Sequence, residues 1–86
     1  TFLIYIMYYV YVLKSEVDGR LYKGMTNNLQ KRIVEHNSGK NKSTKGYLPW
    51  VLVYKEEFKT SVEARAREKY FKSGIGREFL KSILKN

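Results

Sequence analysis

The first pattern along the chain is a run of tyrosine and β-branched residues over positions 8–14, which predicts a buried β-strand. The dipeptide Asp18-Gly19 favours a hairpin turn, because it tolerates the positive φ angles of such turns. Residues 20–24 are then expected to form the returning strand, which ends at Gly24. The pattern therefore predicts a two-stranded hairpin.

A helical pattern follows this hairpin. Residues 26–28 are all good N-cap types, and Ser38-Gly39 favours a helix end near residue 37. The apolar positions recur at helical spacing, which predicts one buried stripe. This expected stripe consists of Leu29, Ile33 and Val34.

A polar loop and a third strand come next. Residues 40–46 contain three lysines and no acid, which is typical of a solvated loop or of a grip on a nucleic-acid backbone. Pro49 precedes a strand predicted over residues 50–54, with pairing that can continue to Phe58. The apolar run 51–53 predicts burial on both faces of the sheet.

Two further helices are expected. Thr60 and Glu63 form a capping box for a helix that runs to about Lys72, and Gly74 supplies its end. Residues 75–84 predict a third, short helix, because its apolar positions repeat at three and four. These positions are Phe79, Leu80, Ile83 and Leu84.

The predicted order is β-β-α-β-α-α, which favours an α+β fold: a small three-stranded mixed or antiparallel sheet flanked by helices. A chain of 86 residues is expected to form a single domain. Met7 is interpreted as the natural start and residues 1–6 as an N-terminal extension. The apolar run 1–13 is shorter than the roughly 20 residues of a transmembrane helix, so no membrane partner is expected.

Charge and residue types narrow the function. The net charge of +9, from 17 Lys+Arg against 8 Asp+Glu, predicts a polyanionic partner, with nucleic acid favoured over a merely soluble basic surface. The absence of cysteine excludes disulfides and thiolate zinc sites, and it fits a reducing, cytoplasmic compartment. With one histidine, any metal must be held mainly by carboxylate and water, which favours magnesium or manganese.

One carboxylate stands in an apolar stripe. Ala64, Glu68, Phe71 and Ile75 follow one another at spacings of four, three and four on the second helix. A buried carboxylate is costly unless it is paired or bound to a metal. Glu68 is therefore a candidate metal ligand, although a side chain that bends to solvent or pairs with a neighbouring lysine is the simpler interpretation.

Four more side chains are candidates for chemistry. Arg32 and His36 lie four apart on the first helix, where they can face a phosphate together, or form an ordinary surface arginine and a structural histidine. Tyr11 and Tyr22 lie on the two strands of the hairpin, so their hydroxyls can converge on one side of the sheet. A phenol has a pKa near 10 and needs a nearby cation to act as a base; ordinary sheet packing is the alternative.

These pieces resemble a known family when they are taken in order. The pieces are Tyr9-Val10-Tyr11, Tyr22-Lys23-Gly24, Thr26-Asn27-Asn28-Leu29, Arg32, Glu35-His36-Asn37-Ser38-Gly39 and Arg67-Glu68-Lys69-Tyr70-Phe71-Lys72. The chain is similar to GIY-YIG nuclease domains of the small stand-alone bacterial type, and to the catalytic domain of the nuclease that acts in excision repair. The resemblance covers residues 7–85.

The resemblance implies a role for each candidate. Tyr11 and Tyr22 stand at the tyrosines of the first and second motifs, and one of them is expected to activate or position the attacking water. Arg32 stands at the phosphate-binding arginine, His36 at the next polar position of that helix, and Glu68 at the carboxylate that holds a single Mg²⁺ or Mn²⁺ ion. The lysines expected to contact nucleic acid are Lys23, Lys40, Lys42, Lys45 and Lys72.

Three positions depart from the family pattern. Tyr9 replaces the first glycine of the first motif, Lys23 replaces an aliphatic residue, and Met25 stands where excision-repair relatives have a lysine. The expected function is a metal-dependent endonuclease that cleaves DNA at a branched, damaged or single-stranded feature during repair or recombination. The alternatives are a basic nucleic-acid-binding module with weak or lost catalysis and a protein-binding adaptor that uses the tyrosine-rich surface.

Overall fold

The computed structural model describes residues 6–84. The elements are β1 (Tyr8–Ser15), β2 (Leu21–Thr26), α1 (Leu29–Asn37), a 3₁₀ turn (Lys45–Tyr47), β3 (Trp50–Phe58), α2 (Ser61–Lys72) and α3 (Gly74–Leu84). This order confirms the predicted α+β fold. The second strand begins one residue later than expected and continues two residues past Gly24. Of the proposed extension, only Ile6 is among the described residues, where it is exposed; residues 1–5 lie outside them.

The sheet has the strand order β2-β1-β3, and both pairings are antiparallel, so no strand pair is parallel among the described residues. The hairpin turn forms where Asp18-Gly19 predicts it, with Gly19 at φ 79°. Because β1 lies in the centre, its side chains are buried on both faces of the sheet. In the register, Tyr11 lies opposite Gly24 and Leu13 opposite Tyr22.

The two faces of the sheet carry separate cores. On one side, which we call the α1 face, Tyr11, Leu13 and Trp50 pack with Leu29 and Ile33 of α1. On the other side, the α2/α3 face, the buried side chains come from β1, α2 and α3. This second set comprises Val10, Val12, Ala64, Phe71 and Leu80. Strand alternation thus sends neighbouring residues of β1 to different cores.

Side-chain caps fix where the helices begin. The Asn28 side chain accepts a hydrogen bond from the Lys31 amide at 3.2 Å, and Thr60 accepts one from the Glu63 amide at 3.2 Å. Both caps satisfy amides that lack a partner within the helix. The predicted starts of the first and second helices are therefore confirmed.

Several burial predictions were wrong. Val34 is 64% exposed, because the stripe of α1 that meets the sheet runs through Leu29, Ile33 and His36 instead. Val51 is 43% exposed, since β3 is an edge strand rather than a doubly covered one. Ile83 of α3 is also 42% exposed.

The junction between α2 and α3 is tighter than expected. Helix α2 is capped at Ser73, and Gly74 begins α3 instead of acting as a helix stop. Ile75 therefore belongs to the next helix and is 74% exposed, so it does not share the stripe of Glu68. A Cβ at Gly76 would overlap the backbone carbonyl of Tyr70, so glycine allows the two helices to meet closely.

Candidate active site

Tyr11 lies at the centre of the α1 face. Its side chain crosses β2 directly above Gly24, where a Cβ would overlap the Tyr11 hydroxyl and ring. Only glycine leaves this space free for the tyrosine side chain, which explains on steric grounds why the second motif has glycine at position 24. The Tyr11 side chain is almost fully buried, with 1% of its surface exposed.

Helix α1 brings Arg32 and His36 to the Tyr11 hydroxyl. His36 Nε2 lies 3.0 Å from Tyr11 Oη, and Arg32 Nε donates to the same oxygen at 3.4 Å. The two residues are four apart on the helix, so they face the sheet together. Arg32 and His36 therefore both hydrogen-bond to the hydroxyl group of Tyr11.

His36 is oriented from its other side by Thr44. The His36 ring is fully buried, and its Nδ1 lies 3.2 Å from Thr44 Oγ1. The Thr44 hydroxyl in turn donates to the Asn41 carbonyl at 3.5 Å, which leaves its oxygen free to accept. We assign the proton of His36 to Nδ1, because this tautomer lets Nδ1 donate to Thr44 and Nε2 accept from Tyr11.

These contacts form one directed chain of hydrogen bonds, from Arg32 through Tyr11 and His36 to Thr44. Burial raises the pKa of Tyr11, and the charges of Tyr22 and Glu68 raise it further against the lowering effect of Arg32. Burial and then the Arg32 charge lower the pKa of His36. Both shifts favour the neutral form of each group near pH 7.

Arg32 keeps its charge in this setting. Its hydrogen bond to Tyr11 is the main cause that raises its pKa, and its Nη1 also pairs with Glu35 at 3.2 Å. The side chain is 35% exposed and lines a cleft of about 400 Å³ with Lys31 and residues 25–28. The guanidinium is therefore accessible to a phosphate from solvent, with Lys31 beside it.

Tyr22 reaches the same face from β2. Its ring lies edge-on to His36, with a centroid distance of 4.6 Å, and 6.4 Å from the ring of Tyr11. The ring of Trp50 also packs against Tyr22, with a centroid distance of 6.2 Å. Unlike Tyr11, Tyr22 is only half-buried. The two tyrosines thus flank the imidazole, one deep and one near the surface.

Glu68 approaches from α2, which packs on the opposite face and also contacts β2. The Glu68 side chain is 13% exposed, and its carboxylate pairs with Lys72 at 3.3 Å and Arg65 at 3.6 Å. Its charge nevertheless contributes to the raised pKa of Tyr11, so it acts within electrostatic reach of that hydroxyl. The ion pair with Lys72 agrees with the simpler interpretation of the sequence.

The predicted nucleic-acid lysines are distributed over two regions. Lys40, Lys42 and Lys45 are exposed on the segment after α1, the same segment that Thr44 connects to His36. Lys72 lies beside Glu68. Lys23 lies away from Tyr11 on the α2/α3 face, since it pairs with Val12 in the register.

Two residues important for the geometry were not assigned roles from the sequence. Thr44 was noted only as part of the lysine loop, and no local pattern marks it as the partner of a histidine eight residues earlier. Gly24 was interpreted as a strand end, whereas it provides the space for Tyr11. The position of Gly24 in the second motif was the sequence feature that could have indicated this role.

The donor set suits a hard divalent ion held weakly. Among residues 6–84, no group of three or more acidic, histidine or cysteine side chains is arranged to hold a metal. Magnesium keeps several waters and often uses one carboxylate together with substrate phosphate oxygens. Glu68, whose side chain is 13% exposed, is the candidate carboxylate for such an ion.

Comparisons with known proteins place the chain in one family. Residues 7–78 match the model of the GIY-YIG catalytic domain. A UPF0213 protein of Clostridium perfringens is 52% identical over 67 residues, which cover 77% of this chain and 71% of that protein. A UPF0213 protein of Staphylococcus haemolyticus is 44% identical over 77 residues, covering 88% and 93%.

A solved structure shows the same fold. The solution NMR structure of a UPF0213 protein from Bacillus halodurans superposes with a TM-score of 0.56 at 36% sequence identity. The match covers 90% of this chain and 84% of that one. Within the described part of the chain, no helix is both long and apolar enough to span a membrane.

Proposed function

Because the chain belongs to the GIY-YIG catalytic-domain family, we propose that it is a metal-dependent endonuclease that hydrolyses DNA phosphodiester bonds. The observation that carries this proposal is the buried chain of hydrogen bonds from Arg32 through Tyr11 to His36. A hydroxyl bonded to both a cation and a neutral imidazole can accept one proton while it passes on another. This arrangement suits the activation of a water molecule beside a phosphate.

Arg32 is proposed to bind the scissile phosphate. Its guanidinium is accessible in the cleft beside α1 and retains its charge. The transition state of phosphodiester hydrolysis carries more negative charge on the phosphate oxygens than the ground state. A fixed cation therefore stabilises the transition state more than the substrate.

Tyr11 and His36 are proposed to move the proton. As the water oxygen bonds to phosphorus, its proton passes to Tyr11 Oη, and the Tyr11 proton passes to His36 Nε2. The raised pKa of Tyr11 means that a free phenolate is not populated at neutral pH, so the two transfers must occur together. The P–O bond to the leaving oxygen breaks, and that oxygen takes a proton from solvent.

The remaining residues position these groups. Tyr22 packs against the imidazole edge and is proposed to orient the water from the solvent side. Glu68 is proposed to hold one Mg²⁺ or Mn²⁺ ion, which when bound supplies Lewis-acid stabilisation of the phosphate and leaving-group charges. Opening of the Lys72 ion pair would free the carboxylate for this role.

The depth of the site supports a substrate with a non-duplex feature. Tyr11 is 1% exposed, so we propose that a phosphate and its attacking water approach this hydroxyl most easily when the strand is free of the regular duplex surface. Branched, damaged or single-stranded DNA offers such a phosphate without the cost of opening a duplex. We therefore include a role in repair or recombination in the proposal.

The proposal is tested by cleavage of labelled DNA that carries a flap or a single-stranded gap, with and without Mg²⁺ or Mn²⁺. Glu68→Gln is expected to lower the cleavage rate by about 10²-fold or more, because charge stabilisation at the phosphate is lost. Lys69→Gln, an exposed neighbour on α2, is the matched control and should cleave like wild type. Equal cleavage by both variants would indicate a contaminating nuclease and contradict the proposal. A parallel RNA substrate tests the preference for DNA.

A further inference from the structure

A second cationic region lies on the α2/α3 face, away from the Tyr11 hydroxyl. There, β2 and α3 enclose a cavity of about 330 Å³. Its floor includes Leu21 and Leu80, and no acidic side chain lines it. Its cations are Arg20, Lys23, Arg77 and Lys81.

Two of these cations are already neutralised by nearby acids. Arg20 pairs with Asp18 at 2.8 Å, and Lys81 pairs with Glu78 at 3.5 Å. By contrast, Lys23 and Arg77 have no acidic side chain within salt-bridge distance among residues 6–84, a range that contains every aspartate and glutamate of the chain. The pair therefore retains positive charge that no acidic side chain offsets.

Lys23 is partly buried and lies near the positive charges of Arg77 and Lys72. It is half-buried on β2, where strand pairing fixes its backbone opposite Val12. Burial lowers its pKa, and the charges of Arg77 and Lys72 lower it further. The positive charges of Lys23, Arg77 and Lys72 repel one another. An anion bound between Lys23 and Arg77 would offset this repulsion and favour the charged form of Lys23.

The region adjoins the proposed metal ligand. Lys72, whose charge acts on Lys23, binds the Glu68 carboxylate at 3.3 Å. Lys23 therefore lies within electrostatic reach of Arg77 and also of Lys72, the partner of Glu68. A nucleic-acid strand has the charge and the apolar sugar edges that suit cations above a leucine floor.

We propose that Lys23 and Arg77 form a second phosphate-binding site, which holds a backbone phosphate of the same DNA strand at a distance from the cleaved bond. This site rests on the proposed nuclease function and extends it. Arg32 binds the strand on the α1 face, and the Lys23–Arg77 pair binds it on the α2/α3 face. The strand would then pass around the β2 edge of the sheet, against which α2, the helix that carries Glu68, also packs.

Binding measured without cleavage tests this site. A fluorescent DNA hairpin with a single-stranded tail is titrated into Glu68→Gln protein, without divalent ions, at several salt concentrations. Lys23→Met with Arg77→Gln removes the pair while it keeps the lysine stem. The matched control, Lys59→Gln with Lys69→Gln, also removes two positive charges at exposed positions away from this cavity and from the cleft beside Arg32.

The site variant is expected to bind DNA about tenfold more weakly than the control, because it loses contacts to a charged group. Its plot of log affinity against log salt should be less steep by about 0.7–0.9, which is one phosphate contact. If the double variant is unstable, Arg77→Gln alone, at an exposed position, should give about half the change. Equal affinity and slope for site and control variants would overturn the proposal.

Amide chemical shifts give an independent result. DNA is expected to shift Leu21, Lys23 and Arg77 as well as the cleft beside Arg32. Shifts at these three residues with inorganic phosphate but not with DNA, or with an acidic peptide instead, would overturn the proposal. Failure of the nuclease function looks different: wild type would not cleave, whereas the site variant would still lose DNA binding.

Discussion

On the α1 face, β1 contributes Tyr11, whose hydroxyl joins a chain of polar groups that includes a fully buried histidine. On the α2/α3 face, the neighbouring Val10 and Val12 pack against Ala64, Phe71 and Leu80, and none of the buried polar side chains of residues 6–84 belongs to this cluster. One strand therefore supports two cores of different chemistry. A polar core is sustainable only where each group has a partner, and no buried side-chain nitrogen or oxygen lacks one among the described residues. The α2/α3 face thus has the apolar core, and the α1 face has the buried polar groups that we propose take part in the chemistry.

The largest expected effect on stability lies on the α2/α3 face. Phe71 is fully buried and packs against Tyr54, Tyr70 and Phe79. Phe71→Ala should lower the free energy of unfolding by about 3–5 kcal/mol, because it leaves a cavity in the core. Urea denaturation measures this change, with Val62→Ala, at a position that is 77% exposed, as the control. A loss of stability equal to that of the control would contradict the assignment.

Gly24→Ala should affect both stability and activity. The new Cβ would overlap the Tyr11 hydroxyl, so the tyrosine must move away from His36. We expect a loss of about 1–3 kcal/mol in the free energy of unfolding, together with loss of DNA cleavage. Gly46→Ala is the control, because a Cβ there meets no atom within 4 Å. Full cleavage by Gly24→Ala would show that the position of Tyr11 is unimportant.

Thr44→Val should disturb the α1 face more mildly. It removes the acceptor of His36 Nδ1, and an unpaired buried donor costs about 1–3 kcal/mol. The imidazole is then no longer held in one tautomer, so the cleavage rate should fall as well. Thr44→Ser restores the hydroxyl and should rescue the rate. If Thr44→Ser is as slow as Thr44→Val, packing of the methyl group matters rather than the hydrogen bond.

The smallest expected effect is a dependence of stability on pH. Burial lowers the folded-state pKa of His36 below its unfolded value, so the unfolded chain binds the proton more readily. The stabilising contribution of neutral His36 is therefore complete above about pH 6.5, the usual histidine value, and is lost as the pH falls through the lower folded-state pKa. Thermal unfolding of wild type and His36→Gln across this range measures the contribution. Parallel pH profiles for the two proteins would rule it out.

The sequence was most informative where local chemistry decides the structure. Asn28, Thr60 and Glu63 marked helix starts through capping, and the Asp18-Gly19 turn fixed the hairpin. It failed where burial depends on how elements pack. Val34 and Ile75 are apolar but exposed, because the rotation of α1 and the break at Ser73 are set by contacts between elements.

The candidate site divides in the same way. The family motifs pointed to Tyr11, Arg32 and His36, and the fold brings these three together. Thr44 and Arg77 belong to no such motif, since their positions become meaningful only through partners distant in the chain. Three-dimensional proximity, rather than residue type, is the information that the sequence lacked.

The most direct test of the α1 face as a reactive centre is the rate of DNA cleavage by Tyr11→Phe, which removes one hydroxyl and keeps the ring. We predict a loss of about 10²–10⁴-fold, because no group then connects the water to His36. Tyr54→Phe, which removes a hydroxyl bonded to Glu56 on β3, is the matched control and should retain the wild-type rate. A Tyr11→Phe protein that cleaves as fast as the control would contradict the proposed role of the α1 face.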